Sequence, residues 1–174
     1  MPPKKQKTVS EKYQMLSHID HIKKLPDSYI GSTVPVESER HVYDEETKRM
    51  ILKTVQFVPG LYKIFDEIIV NAEDEASRAF DTDNPVSKIS ISIDKTLGEI
   101  NITNTGGAID VEKHEEHKIY VPEMIFGNLL TSANYDMEED KTTGGKNGYG
   151  AKLTNIYSSS FKIEIMDSTR NILY

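Results

Sequence analysis

A long amphipathic segment constrains the fold of this chain more than any other feature. Its apolar positions recur every three or four residues, which predicts one helix over residues 61–80 with a single buried face. Pro59 and Gly60 precede the segment, and an Asp-Asn-Pro sequence at 83–85 ends it. A helix of this kind has to cover its apolar face with another layer of secondary structure.

Alternating apolar and polar residues predict the partners of this helix. Strand and hairpin segments are expected at residues 34–44, 51–58, 88–93, 99–103 and 161–166. Further helices are expected from Pro122 onward and over residues 151–157. This order of elements predicts an α+β fold, a two-layer sandwich in which helices cover one face of a mostly antiparallel or mixed sheet.

Length and composition limit the classes of protein that remain. The 174 residues suit one domain, and we expect residues 1–12 to form a flexible basic arm and residues 13–174 to form the domain. The net charge of -7 predicts that DNA, if it is a partner, is held by another part of the protein. The absence of cysteine excludes disulfides and thiolate metal ligands, and no segment is apolar enough to predict a membrane span.

A polar stripe accompanies the apolar face of the long helix. Glu67, Asn71 and Glu75 follow one another at four-residue intervals, and Asp74 lies beside them. Such a stripe is usually the solvated side of an amphipathic helix. Asn71 is unusual because apolar residues flank it; its amide oxygen suits a hard cation such as magnesium, and a neighbouring carboxylate suits a general base. The stripe alone leaves both interpretations open.

A glycine-rich segment precedes the helix predicted over residues 151–157. Four glycines lie between residues 144 and 150, where they allow backbone N–H groups to converge on an anion. Lys146 and Lys152 add positive charge, so the pattern indicates phosphate binding. It is not a Walker loop, because Ala151 and Lys152 follow the last glycine where that motif has Lys-Ser/Thr. The alternative is a mobile surface loop that uses glycine only for its turns.

A shorter motif, NTGGA at residues 104–108, follows a predicted strand. An asparagine and two glycines at the end of a strand can bring a side chain and the backbone close to a flat ligand, although alone they describe an ordinary turn. Its position between the polar helix and the glycine-rich segment favours a role in ligand binding.

Together these motifs resemble a known family. EIIVNAED (67–74), NTGGAI (104–109) and GGKNGYGAK (144–152) resemble, in this order, the ATP-binding boxes shared by gyrase, heat-shock chaperones, sensor histidine kinases and MutL mismatch-repair proteins. DSYIGS (27–32), VPGLYKIFDE (58–67) and YVPEMIFGNLLTSANYD (120–136) look like the N-terminal ATPase region of eukaryotic-type type II DNA topoisomerases. The last segment disfavours a mismatch-repair ATPase. The resemblance implies the Bergerat-type ATP-binding fold.

The resemblance also implies roles for individual residues. It assigns Glu67 as the general base that activates water, Asn71 as the ligand of a Mg²⁺ ion on the phosphates of ATP, and Tyr13 as an arm residue that reaches the nucleotide of the second subunit. The other residues that it places around ATP are Asp74, Asn104, Ser132, Ala133, Asn134, Gly145, Lys146, Asn147, Gly148, Tyr149, Gly150, Ala151 and Lys152.

The implied function is that of an ATP-operated gate. Mg-ATP would drive homodimerisation, coupled to passage of one double-stranded DNA through a break made elsewhere in a type II topoisomerase of the nucleus or of a virus in an infected cell. The segment holds neither the cleavage tyrosine nor its acidic metal site, so it is not expected to cut DNA. The alternative is a truncated stand-alone homologue that binds a nucleotide or a partner without catalysis.

Three residues depart from the family pattern. Ala108 replaces a glycine of the second box, Asp110 stands where a proline is usual, and Ala133 stands where the eukaryotic pattern has a second serine. Loss of a serine hydroxyl removes one neutral hydrogen bond, worth roughly 0.5 to 1.5 kcal/mol. These departures are expected to change nucleotide affinity.

Overall fold

The computed structural model describes residues 8–13, 15–129, 131 and 148–174. Its helices are α1 Val9–Lys12, α2 His18–Lys24, α3 Pro59–Arg78, α4 Val121–Gly127 and α5 Gly150–Tyr157. Its strands are β1 Val36–Asp44, β2 Arg49–Phe57, β3 Ile89–Asp94, β4 Glu99–Asn104, β5 Met166–Asp167 and β6 Ile172–Leu173. Part of the expected flexible arm is thus the helix α1. The proposed domain boundary after residue 12 stays a prediction.

The α+β class is confirmed, and the strands pair as antiparallel hairpins. Val36 lies opposite Phe57 in the first pair, and Ile89 lies opposite Asn104 in the second. Within the described ranges the strands form three two-stranded sheets, where one covered sheet was expected. Each hairpin closes over a short turn, so its hydrogen bonds form locally, whereas a joint sheet requires pairing between distant segments.

The strand predicted over residues 161–166 is wrong for most of its length. Strand pairing begins only at Met166, and Ile165 exchanges backbone hydrogen bonds of 2.9 Å with Tyr174. Alternation predicts which residues suit a strand, but a strand also needs a partner backbone. The segment that supplies the partner here is the short stretch at residues 172–174.

The long helix predicted from residue 61 is confirmed as α3, which begins at Pro59 and ends at Arg78. Pro59 suits the first turn because the N–H that proline lacks has no partner within a helix there. Gly60 is required by close approach: its N–H donates to the Ser32 carbonyl at 2.8 Å, and a methyl group in its place would lie 3.0 Å from Ile30 Cδ1. The helix start is therefore fixed against residues 30–32.

The core lies where α2, α3 and α5 meet. Ile22, Ile30 and Leu153 are buried together, and Ile64 of α3 packs against them. Two hydrogen bonds join the helices: Thr154 Oγ1 donates to the Ile64 carbonyl at 2.7 Å, and the Tyr157 hydroxyl donates to the Ile22 carbonyl at 2.6 Å. This packing places the N-terminus of α5 beside the middle of α3.

Arg170 ties the β5–β6 turn to the segment that follows β4. Its guanidinium contacts Asp110 Oδ1 at 2.7 Å, Asp167 Oδ2 at 2.9 Å and Glu112 Oε2 at 3.1 Å. Asp167 is only 3% exposed and accepts a hydrogen bond from the Val111 N–H at 3.1 Å. Asp110, which departs from the family pattern, thus has a partner in Arg170.

The Asp167 contacts make the stability of the fold depend on pH. The Val111 N–H, aided by Arg170, holds the pKa of Asp167 below its ordinary value. In the unfolded chain an aspartate has a pKa of about 3.9, and the Asp167 carboxylate stabilises the fold fully above that pH. This stabilisation is lost as pH falls through the lower pKa that Asp167 has in the folded state. We expect Asp167→Asn to be less stable than wild type at pH 7 and to lose less of its stability between about pH 5 and pH 2. Urea unfolding across this range measures both effects.

The exposed Asp27 supplies the control for this prediction. Asp27→Asn should follow the wild-type pH profile. If Asp167→Asn also follows it, Asp167 does not carry the pH dependence.

Candidate functional site

The carboxylate of Glu67 lies against the first residue of α5. A methyl group at Gly150 would fall 2.2 Å from Glu67 Oε2, so the carboxylate occupies the space that glycine leaves free. Lys63, one turn earlier on α3, forms an ion pair of 2.5 Å with Glu67 Oε1. This hydrogen bond raises the pKa of Lys63 and keeps its ammonium charged. The contacts fix Glu67 at the end of the glycine-rich segment.

The N-terminus of α5 combines backbone donors with a buried cation. Tyr149 precedes the helix and makes no side-chain capping bond within the described residues, so the first turn offers its N–H groups to a ligand. Lys152 is 5% exposed, and its ammonium donates to the Thr131 carbonyl. Burial lowers the pKa of Lys152 to about 8, because an ammonium loses its hydration there. An anion at this end of α5 would stabilise the charged form and raise the pKa of Lys152 again.

Asn71 presents an amide oxygen on the same helix as Glu67. Its Nδ2 donates to the Glu67 carbonyl at 2.7 Å, which leaves Oδ1 as the acceptor. No cluster of three or more His, Asp or Glu side chains suited to a metal occurs in the part of the chain that the structure describes. An amide oxygen such as Asn71 Oδ1 could contribute one ligand to a Mg²⁺ ion whose other ligands are phosphates and water. Asp74 is buried on the same helix.

The NTGGA motif packs against the second half of α3. Gly106 has φ +88°, and a methyl group there would lie 2.4 Å from the Pro85 carbonyl oxygen. A methyl group on Gly107 would lie 2.8 Å from Glu75 Oε1, whereas Ala108 is exposed. Close packing thus explains why glycine occupies both positions. Ala108, which replaces a glycine of the family pattern, lies where there is room for a side chain. Asn104 closes β4 and donates to the Thr105 carbonyl at 3.3 Å.

The structure brings only some of the predicted site residues together. Glu67 and Gly150 meet where α3 contacts α5, and Gly148, Tyr149, Ala151 and Lys152 belong to the same stretch as Gly150. Tyr13 is 71% exposed at the end of α1, and the ring contact described for it is with the Lys12 ammonium, 5.4 Å from the ring centroid. Its role in a second subunit stays a prediction. The following predicted residues lie outside the described residues: Ser132, Ala133, Asn134, Gly145, Lys146 and Asn147.

Two contributors to this site were not predicted from the sequence. Lys63 precedes Glu67 by four residues, so helical spacing could have identified the pair. His18 hydrogen-bonds the Tyr149 hydroxyl at 3.1 Å across 131 residues of sequence, and no local pattern signals such a contact.

Within the described ranges, no helix has both the length and the apolar character needed to cross a bilayer.

Burial of Lys152 yields a test in alkaline solution. The folded pKa of about 8 lies below the ordinary lysine value of 10.5, so between these pH values the unfolded chain binds more protons. Wild-type stability should therefore rise relative to Lys152→Met from pH 8 to pH 10, by on the order of 1 kcal/mol once the linkage value of about 2 kcal/mol is reduced for solvent screening. Urea unfolding of both proteins at several pH values measures the difference. Parallel profiles would show that Lys152 carries no such penalty.

The chain is similar to known proteins over most of its length. The chain is 53% identical over 161 residues to DNA topoisomerase 2 of Candida glabrata. The aligned residues cover 92% of this chain and 11% of that relative. It superposes on the ATPase region of Saccharomyces cerevisiae topoisomerase II with a TM-score of 0.81 and 51% identity, covering 87% of this chain and 39% of the other. No protein-family model matches the sequence.

A second solved structure gives the same result. The ATPase and transducer domains of DNA topoisomerase II from Balamuthia mandrillaris superpose with a TM-score of 0.83 and 47% identity, covering 87% of this chain and 38% of the other. The resemblance to the ATPase region of eukaryotic type II DNA topoisomerases is therefore confirmed.

Proposed function

Because this chain is a homologue of the ATPase region of eukaryotic DNA topoisomerase II over most of its length, we propose that it binds and hydrolyses ATP as the gate of a type II topoisomerase. The observation that carries the proposal is the contact between the Glu67 carboxylate and Gly150. The contact supports the proposal because a carboxylate can accept a proton, and the helix N-terminus beside it can bind phosphates.

The proposed chemistry divides between positioning and charge. The first-turn N–H groups of α5 and the Lys152 ammonium hold the phosphates, and the Lys63 ion pair orients Glu67 toward the attacking water. Asn71 would hold Mg²⁺, and the ion would neutralise phosphate charge when bound. Glu67 takes a proton from the attacking water as the water oxygen bonds to the terminal phosphorus, and the bond from that phosphorus to the bridging oxygen breaks, which releases ADP and phosphate.

The function of the whole protein extends this proposal. The chain spans 11% of the length of the Candida glabrata relative, so DNA cleavage and most DNA contacts would belong to other segments. ATP-driven homodimerisation, with Tyr13 reaching the partner's nucleotide, would couple hydrolysis to passage of a DNA duplex in the nucleus. The acidic charge of this chain agrees with DNA being held elsewhere.

Nucleotide binding is expected to stabilise the fold. At a free Mg-ATP concentration of about 100 times Kd, the gain is about 2.7 kcal/mol, which raises Tm by several degrees. Thermal unfolding with Mg-ATP, with a non-hydrolysable analogue, and with the analogue plus a chelator measures the gain and its dependence on magnesium. An unchanged Tm at saturating analogue would contradict the proposal.

Glu67 is expected to act in hydrolysis and not in binding. Glu67→Gln should retain affinity for the analogue and lower phosphate release by about 10²- to 10⁴-fold, because the amide cannot accept the proton. Glu73→Gln, an exposed change on the same helix, is the matched control and should resemble wild type. Equal turnover in Glu67→Gln would refute the general-base role. Nucleotide binding without phosphate release in wild type would identify a binding module instead.

A further inference from the structure

Two histidines of α2 pair with two tyrosines, one of them eight residues away in the sequence and the other 131 residues away. His18 and Tyr149 meet edge to face with ring centroids 5.6 Å apart, and His21 meets Tyr29 in the same way at 5.8 Å. The two tyrosine rings lie 6.2 Å apart, which joins the pairs into one group, the ring cluster. Each pair also shares a hydrogen bond, of 3.1 Å for His18 and 2.8 Å for His21.

The ring cluster connects α2 to the start of α5. Tyr149 immediately precedes α5, and its carbonyl accepts the Leu153 N–H at 2.9 Å, the bond that closes the first turn. Gly150, the next residue, contacts the Glu67 carboxylate. The position of His18 is thus connected through Tyr149 and Gly150 to the proposed general base.

A separate contact anchors the same helix. Ile22 is fully buried, and its carbonyl accepts the Tyr157 hydroxyl at the other end of α5. His18, in contrast, is exposed and contributes little apolar burial. Because Ile22 provides the burial, removal of the His18 side chain should leave α2 docked and release only Tyr149.

We propose that His18 is a positioning residue for the nucleotide site. Its hydrogen bond to Tyr149 holds the first turn of α5 in place and keeps Gly150 against Glu67. The consequence for ATP rests on the proposed function, whereas the link between α2 and α5 can be tested without any nucleotide. A shift of α2 is then transmitted to the phosphate-binding end of α5.

Hydrogen exchange of the nucleotide-free chain tests the link. In His18→Ala the Leu153 amide should exchange about 3- to 10-fold faster, the factor expected for loss of one modest hydrogen bond. His18→Gln offers an amide that can bond the tyrosine hydroxyl and should restore slow exchange. His41→Ala, a change of an exposed histidine on β1, is the control. The Val55 amide of β2 should be unaffected in every variant.

Two results would overturn the link. One is an unchanged Leu153 amide in His18→Ala. The other is equal acceleration at Leu153 and Val55, which would show a general loss of stability and no local release.

Binding of a non-hydrolysable ATP analogue tests the functional part. His18→Ala and Tyr149→Phe should each weaken affinity about 3- to 10-fold, and the double variant should be no weaker than the more affected single variant, because both changes remove one bond. His18→Gln should bind like wild type. Wild-type affinity in His18→Ala would refute the positioning role. If wild type itself binds no nucleotide, the proposed function and the positioning role both fail, while the exchange result still decides whether α2 holds α5.

Discussion

The packing of α3 against α5 is the constraint on which the candidate site depends. Thr154 bonds the Ile64 carbonyl, and Leu153 joins the core with Ile22 and Ile30. This docking presses the backbone of Gly150 against Glu67, so that a methyl group at Gly150 would displace the Glu67 carboxylate. The glycine therefore allows two helices to bring a carboxylate and the N-terminus of α5 into contact.

Lys152 shows how the same docking affects charge. Because α5 is packed on its neighbours, the ammonium is buried and its pKa falls to about 8. Burying a cation lowers the stability of the empty fold, and a bound polyanion would offset that cost. Because the buried ammonium destabilises the empty fold and a bound anion would remove that cost, nucleotide binding would raise the stability of the fold. Lys63 differs from Lys152 in having a carboxylate partner among the described residues of the empty fold. Its partially exposed ion pair keeps Glu67 oriented before a ligand arrives.

Much of the fold followed from local patterns, and the failures have a common cause. The periodicity of residues 61–80 predicted α3 to within two residues, and alternation predicted β3 and β4. The strand expected over residues 161–166 failed because its pairing depends on the partner segment at residues 172–174. The single sheet was not seen in the described ranges for the same reason: alternation describes one strand, and neighbours are chosen by packing.

By itself the sequence determined the helical spacing of Glu67 and Asn71, the glycines before α5 and the family to which these motifs are similar, because each depends on residues close together in the chain. Only the tertiary structure decided that Glu67 faces Gly150 and that His18 bonds Tyr149 across 131 residues. Such contacts arise when helices dock through their apolar faces. The choice of facing residues depends on the angle and depth of that docking, which no local period specifies.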